Sequence, residues 1–159
     1  MRRLALRLLV AAALATAALG TSGCSAGNPT EGFAKGVNKA RGASALSSLQ
    51  QAMVTVNLLR AEAGGVAPQD LAGELQSRDP SNRYTTAVPT EPGVVQVVGG
   101  GTGAVMLVAA SGTSDGAAPP KYVAVWQGDG TMLYYLGPQP PAYSSSAPAT
   151  PGWSTTPPQ

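Results

Sequence analysis

The spacing of apolar residues changes along this chain, and each change marks a different kind of segment. From Leu8 to Leu19 they run almost without interruption, broken only by Thr16. From Leu46 onward they recur three and four apart, at Leu46, Leu49, Ala52, Met53, Val56, Leu59 and Ala63, which places them on one stripe of an α-helix. Ser44 is the expected cap, and Gly64-Gly65 supplies the residue type that commonly ends a helix. Val54 and Leu58 fall on the opposite side, so a second element is expected to cover them. A shorter helix is expected from Pro68, suited to a first-turn position, through Asp70, Leu71, Glu74 and Leu75, stopping before Asp79-Pro80. Ser81 to Pro92 reads as loop, with one short extended piece around Tyr84-Thr85-Thr86.

After Gly93 the pattern changes to runs of strand length rich in β-branched and aromatic residues. These are Val94–Val98, Ala104–Ala110, Lys121–Gln127 and Thr131–Leu136. Glycine-rich or Gly/Pro-rich segments separate them: Gly99 to Gly103, Ser111 to Pro120, and Gly128-Asp129-Gly130. Short separations favour antiparallel hairpins, because a parallel crossover needs about a dozen or more connecting residues. The expected fold is α+β: a long N-terminal helix and a short helix packed on a four-stranded antiparallel meander. With Gly128-Asp129-Gly130 as a three-residue loop, Gln127 faces Thr131. Val123, Val125, Leu133 and Tyr135 then share one face of the sheet, and Tyr122, Trp126, Met132 and Tyr134 the other. The aliphatic set suits the helix, which makes the aromatic set a candidate binding surface for a ligand or a Pro-rich segment. Two alternatives stay open: a register shifted by one that sends Trp126 and Tyr134 into the core, and covering by the chain's own tail through Pro140-Pro141, Tyr143 and Trp153.

The first segment is an address. Arg2, Arg3 and Arg7 precede an apolar stretch of about a dozen residues, the proportions of a secretory signal and too short to span a bilayer. It leads to Thr21-Ser22-Gly23-Cys24, which contains the only cysteine of the 159 residues. That run resembles the lipobox of bacterial lipoproteins, with Thr21 where the family prefers an aliphatic residue. The resemblance implies cleavage before Cys24, diacylglycerol on its thiol and usually a fatty acyl group such as palmitate on the new amino terminus. An ordinary secretory signal with an incidental cysteine is the alternative. The expected organisation is a signal peptide over 1–23, a flexible membrane tether over 24–42, one small domain over 43–137 and a disordered Pro/Ser/Thr-rich tail over 138–159.

The order of elements from Ala45 through Tyr135, with Asp129-Gly130-Thr131 at the final hairpin and Tyr134-Tyr135 after it, resembles the head domains of type IV pilins and pseudopilins. Pilins begin with a long apolar helix that anchors the subunit and packs the filament. Here a lipobox and a polar spacer stand in its place, so the resemblance is one of the head domain.

Charge and chemistry narrow the function. Without the signal the chain holds seven Lys and Arg against eight Asp and Glu, so it lacks the basic field that nucleic acid requires. Lys35, Lys39 and Arg41 cluster near the anchor, as part of a solvated tether or against anionic headgroups. One cysteine cannot form an internal disulfide. There is no histidine, hence no histidine-based triad, general base or imidazole metal ligand. Asp70 and Glu74 lie one helical turn apart, where favourable placement near a helix start explains them. The Gly99–Gly103 run is followed by a strand pattern, whereas a phosphate loop opens a helix. No catalytic residue, cofactor or metal site is expected. The leading expectation is a non-catalytic, lipid-anchored envelope protein, attached to the membrane through Cys24, with its domain outside the cytoplasm contacting an envelope protein or the cell wall. The alternative is a small-ligand or sugar-binding lipoprotein that uses the sheet surface. Oligomeric state stays open.

Overall fold

A computed structural model describes residues 29–111, 121–149 and 151–158, with side chains described from residue 40 onward. The signal peptide, Cys24 and most of the 111–120 connection lie outside the described residues. Within them the chain is α+β: α1 (Pro29–Glu62) and α2 (Leu71–Arg78) lie on one face of a six-stranded mixed sheet. The strands are β1 (Arg83–Thr85), β2 (Val94–Gly99), β3 (Val105–Ser111), β4 (Lys121–Gly128), β5 (Thr131–Gly137) and β6 (Trp153–Ser154), side by side in chain order.

α1 buries the expected stripe from Leu46 to Leu59, while Ala63 follows the helix and is exposed. Leu49, Ala52, Met53 and Val56 are almost fully enclosed, with Leu46 and Leu59 beside them, against Val105, Leu107, Val123 and Val125. The helix ends where Gly64-Gly65 predicted, with the Gly65 N–H donating to the Arg60 carbonyl at 2.6 Å. Its start differs from expectation. It begins at Pro29, inside the segment read as tether, instead of after Ser44. Proline at a first helical position loses no hydrogen bond. Lys, Arg and Ala then offset the roughly 1 kcal/mol cost of each interior glycine. Val54 and Leu58 are also not covered: they are 69% and 52% exposed.

α2 begins at Leu71, a little later than expected, because Asp70 is its cap; the Asp70 carboxylate accepts from the Gly73 N–H at 3.0 Å. Leu71 and Leu75 anchor the helix in the core.

The β2–β5 portion is antiparallel throughout, and two strands extend it beyond the expected four. β1 is parallel to β2 despite a short connection. With only three residues in β1, the chain has little distance to climb before re-entering the sheet. At the other edge β6 pairs antiparallel with β5.

The last hairpin corrects the expected register. Gly128 pairs with Thr131, leaving Asp129-Gly130 as a two-residue loop with φ of 50° and 74°. Positive φ at both positions is the type I′ geometry that Asp-Gly favours and that matches the strand twist. The one-residue shift turns every β5 side chain to the face opposite the one expected. Met132 and Tyr134 join Val123 and Val125 on the helix side, whereas Leu133 and Tyr135 join Trp126 and Tyr122 on the other.

Candidate functional site

The face of the sheet away from the helices is built by alternation along β3 and β4. Met106 and Val108 on β3, with Ala124 and Trp126 on β4, all point there. Such a face would be open in a sheet covered on one side only. Here the chain after Gly137 returns across it. The Tyr143 hydroxyl donates to the Ala104 carbonyl at 3.0 Å, and the Trp126 indole N–H donates to the Ser144 carbonyl at 2.8 Å. Trp153 then pairs with Tyr135 on the strand, their ring centroids 5.4 Å apart and tilted by 47°. The Tyr135 hydroxyl reaches back to the Gln139 carbonyl at 3.0 Å. Gly99, at φ 88°, lets Tyr143 approach, since a Cβ there would meet the Tyr143 ring and the Ala104 carbonyl. The segment read as a disordered tail is therefore a strap, held by aromatic side chains that donate to backbone carbonyls of the strap and of Ala104.

The four residues of the candidate surface do not form one surface. Trp126 is fully buried beneath the strap, and Tyr122 is half-buried on the same face. Met132 and Tyr134 are half-buried on the helix side, where the Tyr134 hydroxyl donates to the Met132 sulfur at 3.1 Å. Of the alternatives the sequence left open, the shifted register and the self-covering tail both describe this arrangement.

A second concave region lies at the β1 edge and was not singled out in the sequence. It is a cleft of about 380 Å3 lined by Gln76, Tyr84, Val88 and Val94, with the exposed Arg83–Glu91 ion pair at its rim. Gln76 closes one side in a specific way. Its amide nitrogen donates to the Asn82 carbonyl at 3.1 Å, and its amide oxygen accepts from the Tyr84 N–H at 3.0 Å. One side chain thus satisfies an edge strand in the manner of a neighbouring backbone, which blocks further strand addition there. The sequence signal would have been a polar residue on α2 facing the one extended piece of a loop, too common a pattern to single out.

Beneath the cleft, Asp79 gathers the turn between α2 and β1. Its two carboxylate oxygens accept from the Ser81 N–H at 3.1 Å and the Ser81 hydroxyl, from Asn82 Nδ2 at 3.0 Å and from the Tyr84 hydroxyl at 2.6 Å. Burial pushes this carboxyl up, but the donors from Ser81, Tyr84 and Asn82 outweigh it and bring it down to about 2. Burial, and then donation to the Asp79 carboxylate, push the Tyr84 phenol up. Both carboxylate oxygens are engaged by donors of this segment itself, so the cluster is a structural knot between α2 and β1.

The knot carries a pH dependence of definite sign. The folded carboxyl sits at about 2, below its ordinary 3.8. Its contribution is therefore complete above pH ~4 and is lost as pH falls toward ~2, by about 1–2 kcal/mol once screening is discounted. Asp79→Asn is expected to lower the melting temperature at pH 7 and to flatten the fall in stability between pH 4 and pH 2. Thermal melts across that window check it; an unchanged slope would show that other carboxylates govern the acid limb.

Among the described residues no three His, Cys, Asp or Glu side chains come together as a metal site, and no helix is long and apolar enough to cross a membrane. No protein-family model, curated protein or solved structure matches this chain.

Proposed function

We propose that this chain is a lipid-anchored protein of the bacterial envelope whose small α+β domain is a non-catalytic module for contact with an envelope protein or the cell wall. The observation that carries this reading is the placement of α1. The helix starts at Pro29, five residues after Cys24, and its first described buried side chain is Leu46. At about 1.5 Å per residue the intervening turns span roughly 25 Å, a spacer that would lift the domain clear of lipid headgroups. Arg2, Arg3, Arg7, the apolar run to Leu19 and Gly23-Cys24 supply the matching export and lipidation signal. The order of helices followed by the antiparallel β2–β5 run supports a likeness to pilin heads, with β1, β6 and the strap as additions. A second reading, a small-ligand or sugar-binding lipoprotein, draws support from the cleft beside β1, since the strap covers the sheet face.

Four measurements test this. Cys24→Ala is expected to block processing and release or mislocalise the protein. Intact mass of membrane-extracted wild type should give a chain starting at Cys24 with added lipid; a chain starting at or beyond Ala26 without it ends the anchor reading. Crosslinking in intact cells should then capture an envelope partner, whereas a thermal shift with glycans or metabolites and no captured partner would favour the ligand reading.

A further inference from the structure

The strap is lightly fastened for an element that covers a core. Half of the chain's 14 prolines lie between Pro138 and Pro158, and the same stretch carries no charged residue. From Pro138 to Ala149 no backbone group bonds another backbone group among the described residues. Beyond packing, what fastens the strap is three side-chain bonds, the two-residue β6 ladder and the Tyr135–Trp153 ring pair. β3 and β4 beneath it are joined along their whole length. A segment with so few backbone bonds opens locally at a fraction of the cost of unfolding the sheet.

The way the sheet grips the strap defines what else fits there. Trp126 and Tyr135 both donate to strap carbonyls, those of Ser144 and Gln139. They thus read an extended backbone and not particular side chains. Proline keeps its carbonyl and has no N–H, so a proline-rich chain meets such donors without bringing backbone donors that the groove would leave unpaired. Pro140, Pro141 and Pro148 are half-buried, whereas Ser145, Ser146 and Ala147 are exposed, so the prolines are on the covered side. Aromatic-lined grooves take proline-rich segments in this manner, and the stiffness of such segments lowers the cost of ordering them. The floor of Met106, Val108 and Ala124 carries no charge, which matches the uncharged strap.

We propose that the sheet face centred on Trp126 is a docking groove for an extended, uncharged, proline-rich segment of an envelope protein, and that the strap is its occupant in cis. The groove thereby gives the partner of the contact reading, on which it rests, a stated chemistry. A segment on a short tether acts at an effective concentration of roughly millimolar. The strap therefore keeps the groove closed against dilute competitors and yields when its own hold is weakened. Tyr143 contributes to that hold from the strap side, through its hydroxyl on the Ala104 carbonyl and its close approach to Gly99. Removing it loosens the strap and leaves Trp126 and Tyr135 in place.

The test uses the purified full chain in a Trp153→Phe background, where Trp126 is the only indole. The probe is a labelled synthetic peptide with the sequence from Pro138 to Pro158, also carrying Trp153→Phe. Its control is the same peptide with every proline replaced by alanine. The parent is expected to take up the peptide weakly and to keep Trp126 protected from iodide. Tyr143→Ala should open Trp126 to iodide, bind the peptide about tenfold or more tightly, and regain protection as the peptide saturates. The alanine peptide should do neither. If a thermal melt shows that Tyr143→Ala does not fold, Tyr143→Phe, which loses the hydroxyl alone, should gain about threefold. No gain over the parent, equal uptake of the alanine peptide, or uptake without restored protection would overturn the proposal. So would Tyr143→Ala chains that regain protection by dimerising, since a second copy's strap would then be the occupant. None of these measurements needs the anchor or a captured partner. An envelope partner crosslinked in cells with no peptide uptake would strike the groove and leave the contact reading standing; peptide uptake with no captured partner would support the groove and count against that reading.

Discussion

Trp126→Ala is expected to be the most damaging single substitution in this chain. The indole is fully buried, packs under the strap among Ala104, Met106 and Ala124, and anchors Ser144 through its N–H. Truncating a buried tryptophan costs about 3–5 kcal/mol, and small domains typically hold only about 5–15 in all. A fall in melting temperature of roughly 10–20 °C follows for a domain of this size. The strap should loosen first, since it loses one of its side-chain anchors, and proteolysis should nick the chain after Gly137. Trp126→Phe keeps most of the packing and loses the bond to Ser144, so its cost should be well under half as large. In a Trp153→Phe background, the remaining Trp126 emission should be blue-shifted and protected from iodide. Red-shifted, quenchable emission would mean that the strap does not cover the sheet.

The second large effect is expected at Leu49. It has no exposed surface and sits at the centre of the stripe by which α1 meets β3 and β4. Leu49→Ala should cost about 2–5 kcal/mol, at the upper end if the rigid helix and sheet cannot close around the void. Val54→Ala, on the opposite face of the same helix, is the internal comparison. It should leave the stability of the single chain nearly unchanged. Denaturant midpoints for the pair measure the asymmetry directly; equal losses at Leu49 and Val54, or a Leu49→Ala midpoint matching wild type, would mean that the helix is rotated from the orientation described.

These two residues also show how far sequence reasoning reached. The burial of Leu49 was legible because helical periodicity is local: seven apolar residues at spacings of three and four admit one face. The burial of Trp126 stayed open between core and surface. It depends on the returning strap, whereas the loop length decided only β5, since one residue reverses an entire strand. Asp129 adopts positive φ without glycine's freedom, and that local choice fixed the two-residue loop and sent Tyr134 to the helix side. Cleft residues such as Gln76 and Arg83 carried no readable signal. Their meaning arises only when α2 is placed beside a three-residue strand.

By itself the sequence determined the two helices and the β2–β5 run in their order, the α+β class and the apolar stripe of α1, because each follows from near-neighbour spacing. Tertiary structure alone decided the rest. It paired β1 in parallel, since three residues need no long crossover. It extended α1 back to Pro29, where composition had suggested only a polar spacer. It also turned a Pro-rich tail into a strap, because Tyr143, Trp153 and Tyr135 supply apolar area and hydrogen bonds that a composition count of prolines and serines does not register. Segments that lack a periodic pattern are ordered by the surface they land on, and that surface exists only once the sheet has formed.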